Sequence, residues 1–260
     1  SLFFYLWGSR RRIAIENLRG AVARGSVRLD TSVEDVIREN FRNLGRSFVE
    51  VVKVYYGLGD RIIGSTEIRG LDNFEKALAK GRGVLLVTGH CGNWELNALT
   101  FGARVTPMHV VARPVDNPYL NRILERSRKK YGNGVIYKKG ALRKILSVLR
   151  RNEVVGILMD QSVIRSQGVV TEFLGKLDYT AKTPALIARK TGAAVLPVFI
   201  RRGKRGHVIE IHEEVKLDES RDPDVAVLKD TVRFNAYIED YIRENPSEWL
   251  WIHRRWKRIP

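Results

Sequence analysis

Apolar residues recur at spacings of three and four along the segment 33–56, at Val36, Phe41, Leu44, Phe48, Val51, Val52 and Tyr55. That period predicts an amphipathic helix. Ser32 stands three residues ahead of Asp35 at its start, a capping pattern. The glycines within 57–64 break it, and residues 1–75 as a whole read as helical.

After Gly83 the pattern changes to short apolar runs separated by longer amphipathic stretches. Residues 84–87, 108–111, 135–137, 154–159 and 195–200 predict strands. Residues 93–101, 117–131, 141–150 and 181–191 predict helices. Residues 207–215 alternate as an edge strand would, and 225–243 predicts a long helix. Strands alternating with helices define an α/β class with a mostly parallel central sheet flanked by helices. The expected organisation is a helical, membrane-proximal extension over 1–75 and an α/β domain over 76–260, together one structural unit.

Composition narrows the partners. The chain has 260 residues, of which 44% are apolar, which excludes a disordered or fibrous protein. The net charge of +17 favours anionic partners without choosing among nucleic acid, an acidic membrane, phosphorylated substrates or an acidic carrier protein. A single cysteine excludes an internal disulfide and a multi-cysteine zinc site. No run approaches the ~20 apolar residues of a membrane span. The opening Leu-Phe-Phe-Tyr-Leu-Trp is too short for a signal peptide, but it runs into Arg10-Arg11-Arg12, as at the cytoplasmic end of a membrane segment. We therefore expect an apolar anchoring helix ahead of Ser1. The plainer reading is an amphipathic helix with a solvated basic patch.

The densest chemical signal is Val-Thr-Gly-His-Cys-Gly-Asn-Trp-Glu-Leu at 87–96. His90 follows a buried strand, Gly89 and Gly92 allow a sharp turn, and Asn93 can start a helix with Glu95 in its first turn. Two residues five apart on one helix lie ~140° apart, so Glu95 would have to reach back to an imidazole held in the turn. Such a pair suits a general base whose carboxylate fixes the tautomer; it equally suits a structural helix-start histidine. Arg113 and the pair Asp160-Gln161 follow two other predicted strands, so with His90 they would share one carboxyl edge, where open α/β sheets bind ligands. Arg113 suits a phosphate or a carboxylate, or a plain surface ion pair. Asp160-Gln161 could equally cap the next turn.

The stretch TGHCGNWEL resembles the signature of the bacterial lipid A biosynthesis acyltransferases, the late lauroyl and myristoyl transferases within the lysophospholipid acyltransferase superfamily. The resemblance continues through RRRIAIENL, ARPVDNP, LMDQS, VVTEFLGKLDYTAKTPALIARKTGAAVLPVF and EWLWIHRRWKRIP, nearly the whole chain. It implies a glycerolipid-acyltransferase-like fold and an acyl transfer with no metal and no cofactor. His90 would be the base, Glu95 its partner, and Arg113, Asn93, Asp160 and Gln161 substrate-binding residues. The implied donor is acyl carrier protein or acyl-coenzyme A, the acceptor a hydroxyl of a phosphorylated, Kdo-bearing lipid A precursor. The implied place is the cytoplasmic face of the bacterial inner membrane, on an anionic surface, with an N-terminal anchor. Nucleic acid is not an expected partner.

Backbone amides over 89–93 are candidate donors to the oxyanion. Cys91 departs from the bulky apolar residue expected there, and an activated thiol beside a helix start could carry the acyl group; the favoured reading is a packing residue, since the chain neighbour of a base points away from it. The aromatic, basic tail after Glu248 could meet lipid headgroups or be pinned by cation–π packing. Three rival functions stand beside the main one: acylation of another glycolipid, such as a glycosylated phosphoinositide, or of a lysophospholipid; a basic nucleic-acid-binding module; and a non-catalytic membrane scaffold on the same fold, against which the intact His90 and Glu95 argue.

Overall fold

The computed structural model describes residues 4–5, 7–137, 140–204 and 206–259. Part of the opening aromatic run therefore lies outside the described residues. The chain begins with α1 (Gly8–Ala23), α2 (Val33–Tyr55) and a short α3 (Asp60–Gly64), followed by β1 (Glu67–Arg69) and α4 (Leu71–Leu78). An alternating series comes next: β2 (Val84–Thr88), α5 (Trp94–Arg104), β3 (Met108–Ala112), α6 (Pro118–Lys129), β4 (Gly134–Tyr137), α7 (Ala141–Arg150) and β5 (Val154–Leu158). A hairpin of β6 (Gly168–Phe173) and β7 (Lys176–Ala181) leads to α8 (Thr183–Thr191), β8 (Ala194–Gly203), β9 (Gly206–Ile211) and α9 (Pro223–Glu244).

Seven strands form one sheet in the order β1-β9-β8-β2-β5-β3-β4. Every neighbouring pair is parallel except β8 with β9. Short βα connections force this arrangement, because each crossover helix returns the chain to start the next strand in the same direction. β2 lies at the centre, and Val84, Leu85, Leu86 and Val87 are all buried, the unbroken apolar run of a strand covered on both faces. Leu85 and Val87 enter one core with α1, α2, α7, α8 and α9; Val84 and Leu86 enter a second core with α4 and α5. The result is a three-layer α/β sandwich.

Ser32 caps α2 as its spacing predicts, accepting from the Asp35 amide at 3.1 Å. Three features differ from the sequence reading. Within 1–75, residues Glu67–Arg69 form β1 rather than helix; three residues carry no readable period, and pairing with β9 alone makes them a strand. β9 is not the edge, since β1 lies outside it. The β6–β7 hairpin forms a separate two-stranded sheet whose turn places Leu174 at φ 48° and Gly175 at φ 74°.

Candidate active site

β2 and β5 are paired in register, with Thr88 opposite Leu158. The ladder extends one further bond, from the Met159 amide to the Thr88 carbonyl. His90 and Asp160 each follow those paired residues by two positions, so the register brings them together at the carboxyl edge. His90 Nδ1 lies 2.8 Å from Asp160 Oδ1, and the His90 amide donates to Asp160 Oδ2 at 2.9 Å. A second N–H reaches Oδ2: the Trp249 indole donates at 2.7 Å.

Two glycines make the turn possible. A Cβ on Gly89 would stand 3.3 Å from Asp160 Cβ and 3.0 Å from Ile238, and one on Gly92 would strike the Ile200 carbonyl at 2.0 Å; Gly92 also sits at φ 55°. Asn93 then caps α5 by accepting from the Leu96 amide at 3.1 Å. Its own Nδ2 donates to Glu50 Oε2 at 2.7 Å, placing it in a buried network in which Arg202 grips Glu50 at 2.7 and 3.1 Å and His207 Nε2 lies 3.2 Å away.

Asp160 is 1% exposed. Burial alone would raise its pKa, but the His90 ring, the His90 amide and the Trp249 indole outweigh burial and hold it at about 2. The carboxylate is thus charged, and it orients the imidazole with the proton on Nδ1. Nε2 is then the lone-pair side, and the ring is one-fifth exposed. The Gln161 carboxamide nitrogen lies 3.3 Å from Nε2.

Glu95 is placed differently from the sequence expectation. It does not reach back to the ring; both its oxygens accept from Arg128 on α6, one at 2.8 Å and the other in a still closer contact. The side chains of that pair are 11% and 16% exposed. A helix first turn points Glu95 toward the neighbouring helix, and a guanidinium there outcompetes a ring already held by Asp160. Arg113 follows β3 at the same edge, but its side chain is 69% exposed and paired with Asp116 at 2.7 Å. Two amides expected to serve an oxyanion are engaged elsewhere: that of His90 by Asp160 and that of Gly92 by the Glu248 carbonyl at 2.7 Å. Cys91 is buried, and burial, with Asp160 and Glu248 nearby, pushes its thiol well above the usual range, which disfavours the thiolate a covalent route needs.

Two apolar cavities adjoin the edge. The inner one lies between α5 and the sheet, among Leu86, Met108, Val110, Gly156 and Leu158. The outer one lies between α2 and α6, among Leu44, Phe48, Val51, Leu120 and Leu124. Trp94 and Glu95 line both, and the Trp94 ring lies edge-on to His90 at 5.1 Å between centroids. A third, exposed pocket continues from Leu44, Phe48 and Leu120 to Trp7. Among the described residues no cluster of histidine, cysteine or acidic side chains has the makings of a metal site, and no helix is long and apolar enough to cross a membrane. Sequence reasoning missed Trp249, Arg128 and Glu50; for the last two no local signal exists, whereas Trp249 lies in a motif dense in aromatics.

The class that the fold and the site define is an open α/β protein with an imidazole hydrogen-bonded to a buried carboxylate at the carboxyl edge of the sheet, where such folds bind ligands, and with apolar cavities nearby. The comparisons with known proteins carry this further. The family model described as bacterial lipid A biosynthesis acyltransferase matches residues 1–258. A lipid A biosynthesis palmitoleoyltransferase of Escherichia coli is 29% identical over 233 residues, 87% of this chain and 73% of its own length. A lipid A biosynthesis lauroyltransferase of the same organism is 27% identical, covering 86% of this chain and 72% of its own length. A phosphatidylinositol mannoside acyltransferase of Mycobacterium tuberculosis is 28% identical over 201 residues, 76% of this chain and 60% of its own length. Among solved structures, the 1-acyl-sn-glycerophosphate acyltransferase of Thermotoga maritima aligns with 79% of this chain and 90% of its own, at 18% identity and a TM-score of 0.40. The chain belongs to the bacterial lipid A biosynthesis acyltransferase family and is an O-acyltransferase.

Proposed function

We propose that the protein moves a fatty acyl group from a thioester, carried by acyl carrier protein or by coenzyme A, to a hydroxyl of a phosphorylated lipid A precursor. One observation carries the reading: the ring of the His90–Asp160 pair packs edge-on against Trp94, and Trp94 lines two apolar cavities. His90 Nε2 takes the proton of the acceptor hydroxyl as that oxygen attacks the thioester carbonyl. Asp160 keeps the Nδ1 proton in place and offsets the charge the ring gains. The Gln161 carboxamide, beside Nε2, is the group placed to donate to the oxyanion. The tetrahedral intermediate then expels the thiolate, which recovers the proton from the imidazolium, so the ring returns to its starting state.

Glu95 serves this reading through Arg128: Glu95 lines both the inner and the outer cavity, where hydrocarbon chains would lie, and Arg128, which lines the inner one, holds it there. Arg113, exposed at the same edge, suits a lipid phosphate. Trp7, Phe48 and Tyr119 are at least 49% exposed. With Arg10–Arg12 they suit the surface of an anionic membrane, at about 1 kcal/mol per basic residue near it.

The test is transfer from a lauroyl-loaded carrier protein to a Kdo-bearing lipid A precursor, read by mass spectrometry. His90→Ala is expected to lose at least about 10²-fold in turnover while remaining folded. Near-normal turnover would refute the assignment. The relatives named as phosphatidylinositol mannoside acyltransferases support one second reading, in which the acceptor is a glycosylated phosphoinositide. The same assay with that acceptor separates the two.

A further inference from the structure

We infer that Trp249 is a positioning residue for the reaction, and that the C-terminal segment carrying it is a strap that locks the carboxylate behind His90. The inference rests on the reading of His90 as base, and it accounts for the aromatic tail, which that reading leaves without a role.

The strap is bound to both partners of the pair. Its indole N–H shares Asp160 Oδ2 with the His90 amide. Its backbone joins the His90 turn as a short antiparallel bridge between Cys91 and Trp249, with the Gly92 amide donating to the Glu248 carbonyl and the Leu250 amide to the His90 carbonyl. N-terminal helices hold the strap from behind. Asn40 on α2 donates to the Trp249 carbonyl at 2.6 Å, and Asn17 on α1 donates to the Trp251 carbonyl at 2.8 Å. Trp249 itself is 1% exposed, wedged between Phe173 of the hairpin and Trp251.

Geometry gives this contact its consequence. Two N–H groups on Oδ2 fix the carboxylate plane and leave Oδ1 facing Nδ1. With the indole gone, the amide alone holds Oδ2, and the carboxylate can turn away from the ring. It also loses one of the donors that keep a buried anion ionised. The other ionisable groups around Asp160 do not replace that donor. The Cys91 thiol is raised by burial, His253 is pushed down to about 4 by burial, and the Arg255 guanidinium donates to Tyr179 and Thr180 of the hairpin.

Trp249→Phe keeps an aromatic ring against Phe173 and removes only the N–H and the second ring. With lauroyl-loaded carrier protein and the glycolipid acceptor, we expect kcat to fall about 10- to 100-fold, the measure of one hydrogen bond to a charged group. KM for both substrates stays unchanged, as expected of a residue that orients the base without touching either substrate. In an Asp160→Asn background the same substitution adds little, since it acts through that carboxylate. A folded Trp249→Phe with normal kcat overturns the inference. So does full additivity with Asp160→Asn. Should Trp249→Phe fail to fold, Asn40→Leu, which unclips the Trp249 carbonyl, should lower kcat with KM unchanged in the same way; normal kcat there also overturns it. His90→Ala in the same assay keeps the two questions apart. If it turns over normally, the base assignment itself fails; if it is inactive while Trp249→Phe is normal, only the strap's role does.

Discussion

Replacing Asp160 by asparagine tests which acid serves His90. Two N–H groups, from the His90 backbone and the Trp249 indole, point at Oδ2. The asparagine oxygen must occupy that position, so its NH₂ group is forced toward His90 Nδ1, 2.8 Å away in the native pair. The ring answers by moving its proton to Nε2, and the lone pair that should take the acceptor proton is lost. A wrong tautomer in an aspartate–histidine pair costs about 10⁴ in kcat, about 5.4 kcal/mol of barrier. Stability falls as well: holding the carboxyl at about 2 rather than at 3.8 corresponds to roughly 2 kcal/mol. The assay is single-turnover acyl transfer for Asp160→Asn and Glu95→Gln side by side, with melting temperatures for both. Glu95→Gln weakens the contact to Arg128 and should lower the melting temperature while retaining far more turnover. If folded Asp160→Asn keeps activity within tenfold of the native protein, or folded Glu95→Gln loses as much as Asp160→Asn, then the ring does not work against Asp160 during turnover and the tautomer argument fails.

Cys91→Ser should retain turnover within a few-fold, and in the native protein the thiol should resist alkylation until unfolding, because burial keeps it protonated; loss of transfer in a folded Cys91→Ser, with an acyl-cysteine adduct on the native protein, would revive the covalent route. Acid should destabilise the fold in a defined window. Asp160 and Glu50 are both held down at about 2, Glu50 because His207, Arg202 and the latter's charge outweigh burial. A carboxyl depressed in the folded state adds stability above its unfolded pKa, near 4, and that stability is lost as pH falls toward 2. Urea midpoints should therefore drop between about pH 4 and pH 2, and Glu50→Gln should flatten the drop while lowering the midpoint at neutral pH; a variant with the native acid slope would show that Glu50 is not the titrating group.

Much of the architecture was legible along the chain. The strand runs at 84–87, 108–111, 135–137, 154–159 and 195–200 all recur as β2, β3, β4, β5 and β8; for β2, β5 and β8 the reason is burial on both faces, which demands a continuously apolar run. The helix at 141–150 and the Ser32 cap were equally local matters of amphipathic period and side-chain hydrogen bonding. β1 and the hairpin were not legible. Three residues make too short a period for β1, and the hairpin's stretch TEFLGKLDYTA offers no apolar run.

For the site, the sequence by itself placed His90, Arg113 and Asp160 at one sheet edge provided that their strands run parallel, and showed that Gly89 and Gly92 permit a turn after β2. It also carried the family, through motifs spread over nearly the whole chain. It pointed to Glu95, five residues from His90, as the partner of the ring, and not to Asp160, seventy residues away. Nearness in the chain favours the first. Only the β2–β5 register, with Thr88 opposite Leu158, brings the second into reach, and only Arg128, arriving on another helix, draws Glu95 aside. The strap behind Asp160 was beyond reading for the same reason. A hydrogen bond between groups 89 positions apart leaves no period, spacing or charge pattern in the chain; it exists because two cores pack against one sheet and carry the last segment back across the first turn.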